Sequence, residues 1–157
     1  MRILTVADVK AVEKQMQGAA QMQSINAIEL ETRTIARACD IDYSTLVDLP
    51  MAQINEYRVA LNEQIHAPVE MVHTEDGWEF VMAHPPSDNE RCIQVRFPTR
   101  RDTVHAHAQN PSSVFFGAKL LAAIGKVDGN KRPISHWDRI SYTDFRAVMD
   151  AIWAYGI

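Results

Sequence analysis

The chain has 157 residues, 46% of them apolar and 23% charged, and a formal net charge of −4. That length holds one ordinary domain or two small ones, and the balance is that of a soluble globular protein. No nucleic-acid partner is expected, since a basic face is missing, and no membrane span, since no apolar run approaches the roughly 20 residues needed. The opening MRILTVADVKAVEKQ turns polar too early for a signal peptide. Cys39 and Cys92 lie far apart and are read as free thiols in a reducing cytoplasm.

Thr5 and Asp8 form a Thr-x-x-Asp cap for a first helix with Val9, Val12 and Met16 on one side. A second helix is predicted from about Ser24 to Cys39, striped by Ile28, Thr32 and Ile35, and a turn follows over Asp40 to Tyr43. Pro50 opens a third helix carrying Ile54, Tyr57, Leu61 and Ile65. The pattern then changes to strands. Val69 to His73 and Trp78 to Ala83 flank Thr74-Glu75-Asp76-Gly77, which has hairpin chemistry. Pro85-Pro86 breaks the chain, and Cys92 to Phe97 makes a third strand with Ile93, Val95 and Phe97 on one face. The expectation is an antiparallel sheet of two or three strands.

Helices return with a Thr99-x-x-Asp102 cap, and Asn110-Pro111 is an N-cap and first-turn pair for a helix to about Gly125. Lys126 to Pro133 reads as a polar loop containing Asp128-Gly129. A terminal amphipathic helix closes the chain after a short hydrophobic turn. Phe145, Val148, Met149, Ile152 and Trp153 make its stripe, and Ser141 with Asp144 its capping box.

The two helical regions repeat one another. Arg2-x-x-Thr5-x-x-Asp8 corresponds to Arg96-x-x-Thr99-x-x-Asp102, and Ile35-Ala36 with Ile41-Asp42 to Leu121-Ala122 with Val127-Asp128. Leu46, Leu49, Ile54 and Leu61 stand in the order and spacing of Trp137, Ile140, Phe145 and Ile152. Order, caps and the Asp after the second helix all agree with a tandem duplication.

The second copy combines Arg96-Phe97-Pro98-Thr99 and Asp102, then Ala122, Gly125, Val127, Asp128 and Gly129, then Ile140, Asp144 and Phe145. In this it resembles the small helical tail assembly chaperones of tailed bacteriophages and the related baseplate-assembly proteins of contractile tails. Such proteins often begin with a hairpin leading into the Arg-x-Pro-Thr opening. The first copy departs from the pattern: Leu4 replaces the proline, Asp40 and Asp42 replace the two glycines, and no hairpin precedes it. The resemblance implies a protein that holds another tail protein's hydrophobic surface until assembly, or that occupies a fixed place in the baseplate.

The Thr-x-x-Asp pairs are explained by helix capping without chemistry. His105 and His107 are two apart and do not share a helix face, and no Cys-x-x-Cys pair completes a zinc site, so no metal is expected. Phosphate loops and a GxSxG elbow are missing too, so neither a cofactor nor an enzyme is expected. Exposed apolar material is more suggestive. Trp78, Phe80 and Met82 alternate along one strand, and Trp137, Trp153, Tyr155 and Ile157 crowd the C-terminal region. The alternatives are core packing and a partner-docking surface, for which aromatic residues and Met are favoured. A hairpin edge could also accept a partner's strand.

The sequence thus predicts an α+β, mainly helical protein. Residues 1–66 form one helical copy (copy A), 67–98 an antiparallel hairpin or sheet, and 99–157 the second copy (copy B). The expected partners are other phage tail or baseplate proteins in a hetero-oligomer, met in the host cytoplasm or retained in the virion tail. Alternatives are a bacterial adaptor module unrelated to phage and, more distantly, an enzyme acting through Cys92 or His105.

Overall fold

The computed structural model describes residues 1–20, 27–106 and 113–156. Copy A contributes α1 (Val6–Ala20), α2 (Ala27–Cys39), α3 (Tyr43–Leu46) and α4 (Met51–Ile65). Strands β1 (Glu70–His73), β2 (Gly77–Val81) and β3 (Cys92–Arg96) follow. Copy B contains α5 (Arg100–His105), α6 (Val114–Ile124), β4 (Gly125–Val127), β5 (Asn130–Lys131), α7 (Ile134–Trp137) and α8 (Tyr142–Tyr155). The class is α+β and mainly helical.

The strands form one antiparallel sheet in the order β1-β2-β3-β4-β5. It is larger than the two or three strands expected, because the stretch read as a polar loop after α6 is itself a hairpin. Val127 pairs with Ile93 and is fully buried, so β4 extends the sheet inward to the core. Asp128 and Gly129 take positive φ of 49° and 80°, the backbone of a tight two-residue hairpin turn. The Asp128 carboxylate accepts the N–H groups of Arg91 (3.1 Å) and Cys92 (2.9 Å), which pins that turn to the start of β3. The sheet therefore reaches beyond residues 67–98 into copy B.

The expected starts at Ser24 and at Asn110-Pro111 lie outside the described residues. Within the described residues α6 is capped by Ser113, whose hydroxyl accepts from the Phe115 N–H at 3.2 Å. Glu13 of α1 completes this cap, accepting from the Ser113 hydroxyl at 2.6 Å and from the Val114 N–H at 2.9 Å. An acidic side chain at a helix N-terminus also complements the helix dipole. At α8 only half of the expected box forms. Ser141 accepts the Asp144 N–H at 3.1 Å and donates its hydroxyl to the Asp144 carboxylate at 2.7 Å, but that carboxylate takes the Ala83 and His84 N–H groups, at 2.7 and 3.1 Å, in place of the Ser141 N–H. The cap thereby ties α8 to the end of β2.

Two apolar cores follow the two copies. The larger packs the inner face of the sheet (Trp78, Phe80, Ile93, Val95) against α6, α7 and α8, and takes in Val6 from α1. The smaller gathers Leu4, Ile35, Leu46 and Leu61 in copy A. Leu46 and Trp137, matched across the repeat, are each fully buried in their own core.

Candidate protein-interaction surface

Each copy opens on the same clasp. The Arg2 guanidinium forks onto both Asp8 carboxylate oxygens at 2.7 Å, and Arg96 forks onto Asp102 at 2.7 and 2.9 Å. The carboxylate of Asp8 accepts the Thr5 N–H at 2.9 Å, and that of Asp102 accepts the Thr99 N–H at 2.7 Å. The threonine hydroxyl reaches the aspartate N–H in return, at 3.4 and 3.3 Å. These are bidentate pairs fused to capping boxes. Burial alone would raise the Asp8 pKa, but Arg2, Thr5 and Arg37, the last at 2.9 Å, hold its carboxyl well below the usual carboxylate range. Arg96 does the same to Asp102, against a smaller opposing effect of burial and with help from Thr99.

The single-turn helices match as closely. Leu46, Val47 and Leu49 donate to the carbonyls of Asp42, Tyr43 and Leu46; Trp137, Asp138 and Ile140 donate to those of Pro133, Ile134 and Trp137. We call these turns the corners, at α3–α4 and at α7–α8. Copy A's opening segment lies across copy B's corner. Val6 and Ala7 donate to the carbonyls of Ile140 and Asp138 at 2.9 and 3.0 Å, and Tyr142 donates to that of Leu4 at 2.7 Å. Lys10 pairs with Asp138 at its edge. Gln64 at the end of α4 locks the segment down, accepting from the Leu4 N–H at 3.0 Å and donating to the Arg2 carbonyl at 2.9 Å. Thr143 and Arg146 of α8 bind the Gln64 and Ile65 carbonyls at 2.8 and 2.7 Å, so this joint also closes the end of α4.

Of the residues proposed for docking, Trp78, Phe80, Met82 and Trp137 are buried. That corrects the reading of them as exposed apolar material. The alternation placing Trp78, Phe80 and Met82 on one face of β2 holds, but that face is the one covered by helices. Trp153 and Tyr155 remain at the surface, 39% and 52% exposed. Tyr155 stacks on Phe97 (4.7 Å between ring centroids, 12° between planes) and meets Trp78 edge-on at 5.6 Å. Trp153 lies beside Phe116 at 6.3 Å. Ile157 lies outside the described residues. Sequence reasoning missed Phe97 and Phe116 as neighbours of this aromatic end, because their approach to α8 is made only in three dimensions. The β1 edge of the sheet is exposed at all four residues, including Met71 and Val72.

A groove of about 490 Å³ runs past Arg96 between Trp78 and Gly125, and one of about 470 Å³ lies beside Arg2, Arg37 and Tyr43. No group of three or more His, Cys, Asp or Glu residues suited to a metal occurs among the described residues. No helix among them is long and apolar enough to cross a membrane. Burial pushes both thiols up, and Glu79 and Asp128 push Cys92 further, the opposite of what activates a cysteine nucleophile. Compared with protein-family models, curated proteins and solved structures, the chain matches none.

Proposed function

We propose that the protein is a non-enzymatic bacteriophage tail or baseplate morphogenesis protein that binds other tail proteins, as an assembly chaperone or as a baseplate component. One observation carries this reading: the residues of the family-like pattern all serve a single hairpin-led helical unit. The β2–β3 hairpin delivers Arg96-Phe97-Pro98-Thr99 to the Asp102 clasp, α6 ends at Gly125 against Trp137, and Asp128-Gly129 turns the next hairpin. Around that unit the aromatic end at Trp153 and Tyr155 and the open β1 edge offer apolar and backbone contacts. Burial of such surface favours binding at roughly 25 cal/mol per Å² before ordering costs.

Mass spectrometry of particles produced from the surrounding gene cluster tests the proposal. The chain at fixed stoichiometry in mature particles makes it a baseplate or tail component. Presence only in immature tail complexes makes it a chaperone. Absence from both, with association instead to bacterial proteins, replaces the reading by an adaptor module.

Trp153→Ala tests the surface. Because Trp153 is 39% exposed, its loss costs less than the roughly 3–5 kcal/mol of a fully buried aromatic site. Capture of tail proteins in a pull-down falls sharply. Unchanged capture removes the aromatic end from the proposed interface.

A further inference from the structure

The joint between the copies is used once in the chain, yet the repeat supplies its parts twice. Copy A's opening (Leu4–Ala7) sits on copy B's corner (Asp138–Tyr142). Copy B's own opening, Pro98–Arg101, and copy A's own corner, Val47–Met51, are not joined by any backbone hydrogen bond among the described residues. We propose that these two free halves bind each other between molecules, so that the protein associates head to tail with second copies of itself.

The groups the joint needs are in place and unused. In the closed joint the N–H groups of Val6 and Ala7 are donors, the carbonyls of Ile140 and Asp138 acceptors, and Tyr142 donates to Leu4. Their counterparts are the N–H groups of Arg100 and Arg101, the carbonyls of Leu49 and Val47, and the Met51 N–H with the Pro98 carbonyl. None of these has a partner among the described residues. The two prolines do not interfere. The closed joint takes no N–H from Ser141, the match of Pro50, and the Leu4 N–H, matched by Pro98, is spent on Gln64 rather than on the corner.

The side chains are complementary as well. The Lys10–Asp138 ion pair of the closed joint is matched by Val104 and Val47, both apolar, 60% and 48% exposed. Met51, the match of half-buried Tyr142, is 67% exposed. Arg100 and Arg101 replace Val6 and Ala7, and exposed Asp42 and Asp48 on the facing corner supply opposite charge. A polar joint closed inside the chain is thus paired with a second of inverted chemistry, apolar where the first is charged and charged where the first is apolar.

The geometry also sets the symmetry. Were the joint a two-fold, copy B's opening would already lie on copy A's corner within the same molecule. It does not, so repeating the joint generates a closed ring, the smallest being two molecules carrying four copies, or an open chain.

Sedimentation velocity of the full chain from micromolar to near-millimolar concentration reads the result. The expected mass rises from the 17.8 kDa monomer, to one fixed multiple where the ring closes or through successive multiples where the chain stays open. Val47→Lys turns the acidic corner against Arg100 and Arg101, and Val104→Glu sets an acid against Asp48, so each alone holds the protein monomeric. The double variant V47K/V104E regains association, because opposite charges then stand where the closed joint has Asp138 and Lys10. Both positions are exposed, so thermal melting of all three variants stays at the wild-type value. A wild-type chain that remains at 17.8 kDa throughout overturns the proposal. So does association that survives either single change, or a loss that the double variant does not relieve.

Discussion

Truncating Trp137 to alanine destabilises the protein by about 3–5 kcal/mol, the range for emptying a fully buried aromatic site. For a chain of this size each kcal/mol moves the melting temperature by about 2–4 °C, so a drop of roughly 6–20 °C is expected by circular dichroism. The loss is at the upper end of single-residue effects because Trp137 closes the larger core from the corner side and has no slack around it. The ring lies against the end of α6, where a Cβ on Gly125 would stand 2.8 Å from ring carbons Cζ2 and Cη2 and 2.7 Å from the Leu121 carbonyl oxygen. Gly125 is therefore glycine for close approach. Gly125→Ala costs about 1–3 kcal/mol by overpacking. In the double variant the two losses sum to less than their separate values, because removing the indole frees the space the added methyl needs. Strict additivity would mean that the methyl is refused by the Leu121 carbonyl alone. A melting temperature unchanged by Trp137→Ala would place the residue at the surface, against its complete burial here.

Asp8→Asn and Asp102→Asn are each expected to cost about 1–3 kcal/mol at neutral pH, since an amide can still receive the threonine N–H but cannot hold an arginine fork with charge. The half-exposed Arg2 and Arg96 keep the figure at that level, because solvent screens their side of each pair. Asp8→Asn has the larger effect, as it also releases Arg37. The pH dependence identifies the cause. In the unfolded chain these carboxyls ionise near pH 3.9, and in the folded chain well below it, so the folded state binds fewer protons. Their stabilisation is fully present above about pH 4 and is lost as pH falls below that toward the folded-state values. Urea unfolding at stepped pH should therefore show wild type and either variant converging in acid and separating above about pH 4. A deficit that stays constant down through that window would assign the loss to side-chain packing and not to the clasp's charge.

The clasps were legible in the sequence because each is local. Thr5 with Asp8 and Thr99 with Asp102 are three residues apart, and a helix start joins residues at that spacing whatever lies around them. Alternation in CIQVRF gave the buried face of β3 for the same reason. The matched corners were visible as spacing, and the structure supplies the hydrogen bonds that make them equivalent. What stayed hidden depends on distant partners. Three residues are too few for β4 to declare a period, so only its place beside Ile93 reveals it as strand. Alternation places Trp78, Phe80 and Met82 on one side of β2 but cannot say which side α6 and α8 will cover. Asp144 looked like a reciprocal cap, yet its carboxylate goes to two amides about 60 positions earlier in the chain. Nothing local marks the joint between Leu4 and Tyr142, since neither residue type is distinctive.

That joint has a bearing on how the protein comes into being. Leu4 leaves the ribosome long before Tyr142 is made, and Gln64, the other anchor of the opening segment, comes roughly midway between them. Copy A can gather Ile35, Leu46 and Leu61 as soon as they emerge, but the strip from Leu4 to Ala7 has no corner to rest on until translation has passed Tyr142. Val6, fully buried in the finished fold against residues of copy B, is then solvent-facing on the nascent chain for most of its synthesis, whereas Leu4 finds its core partners within copy A. A contact spanning so much sequence is slow to form and leaves apolar surface open to wrong partners meanwhile. Nascent neighbours on one message would be the nearest source of such partners, each carrying the same uncovered strip.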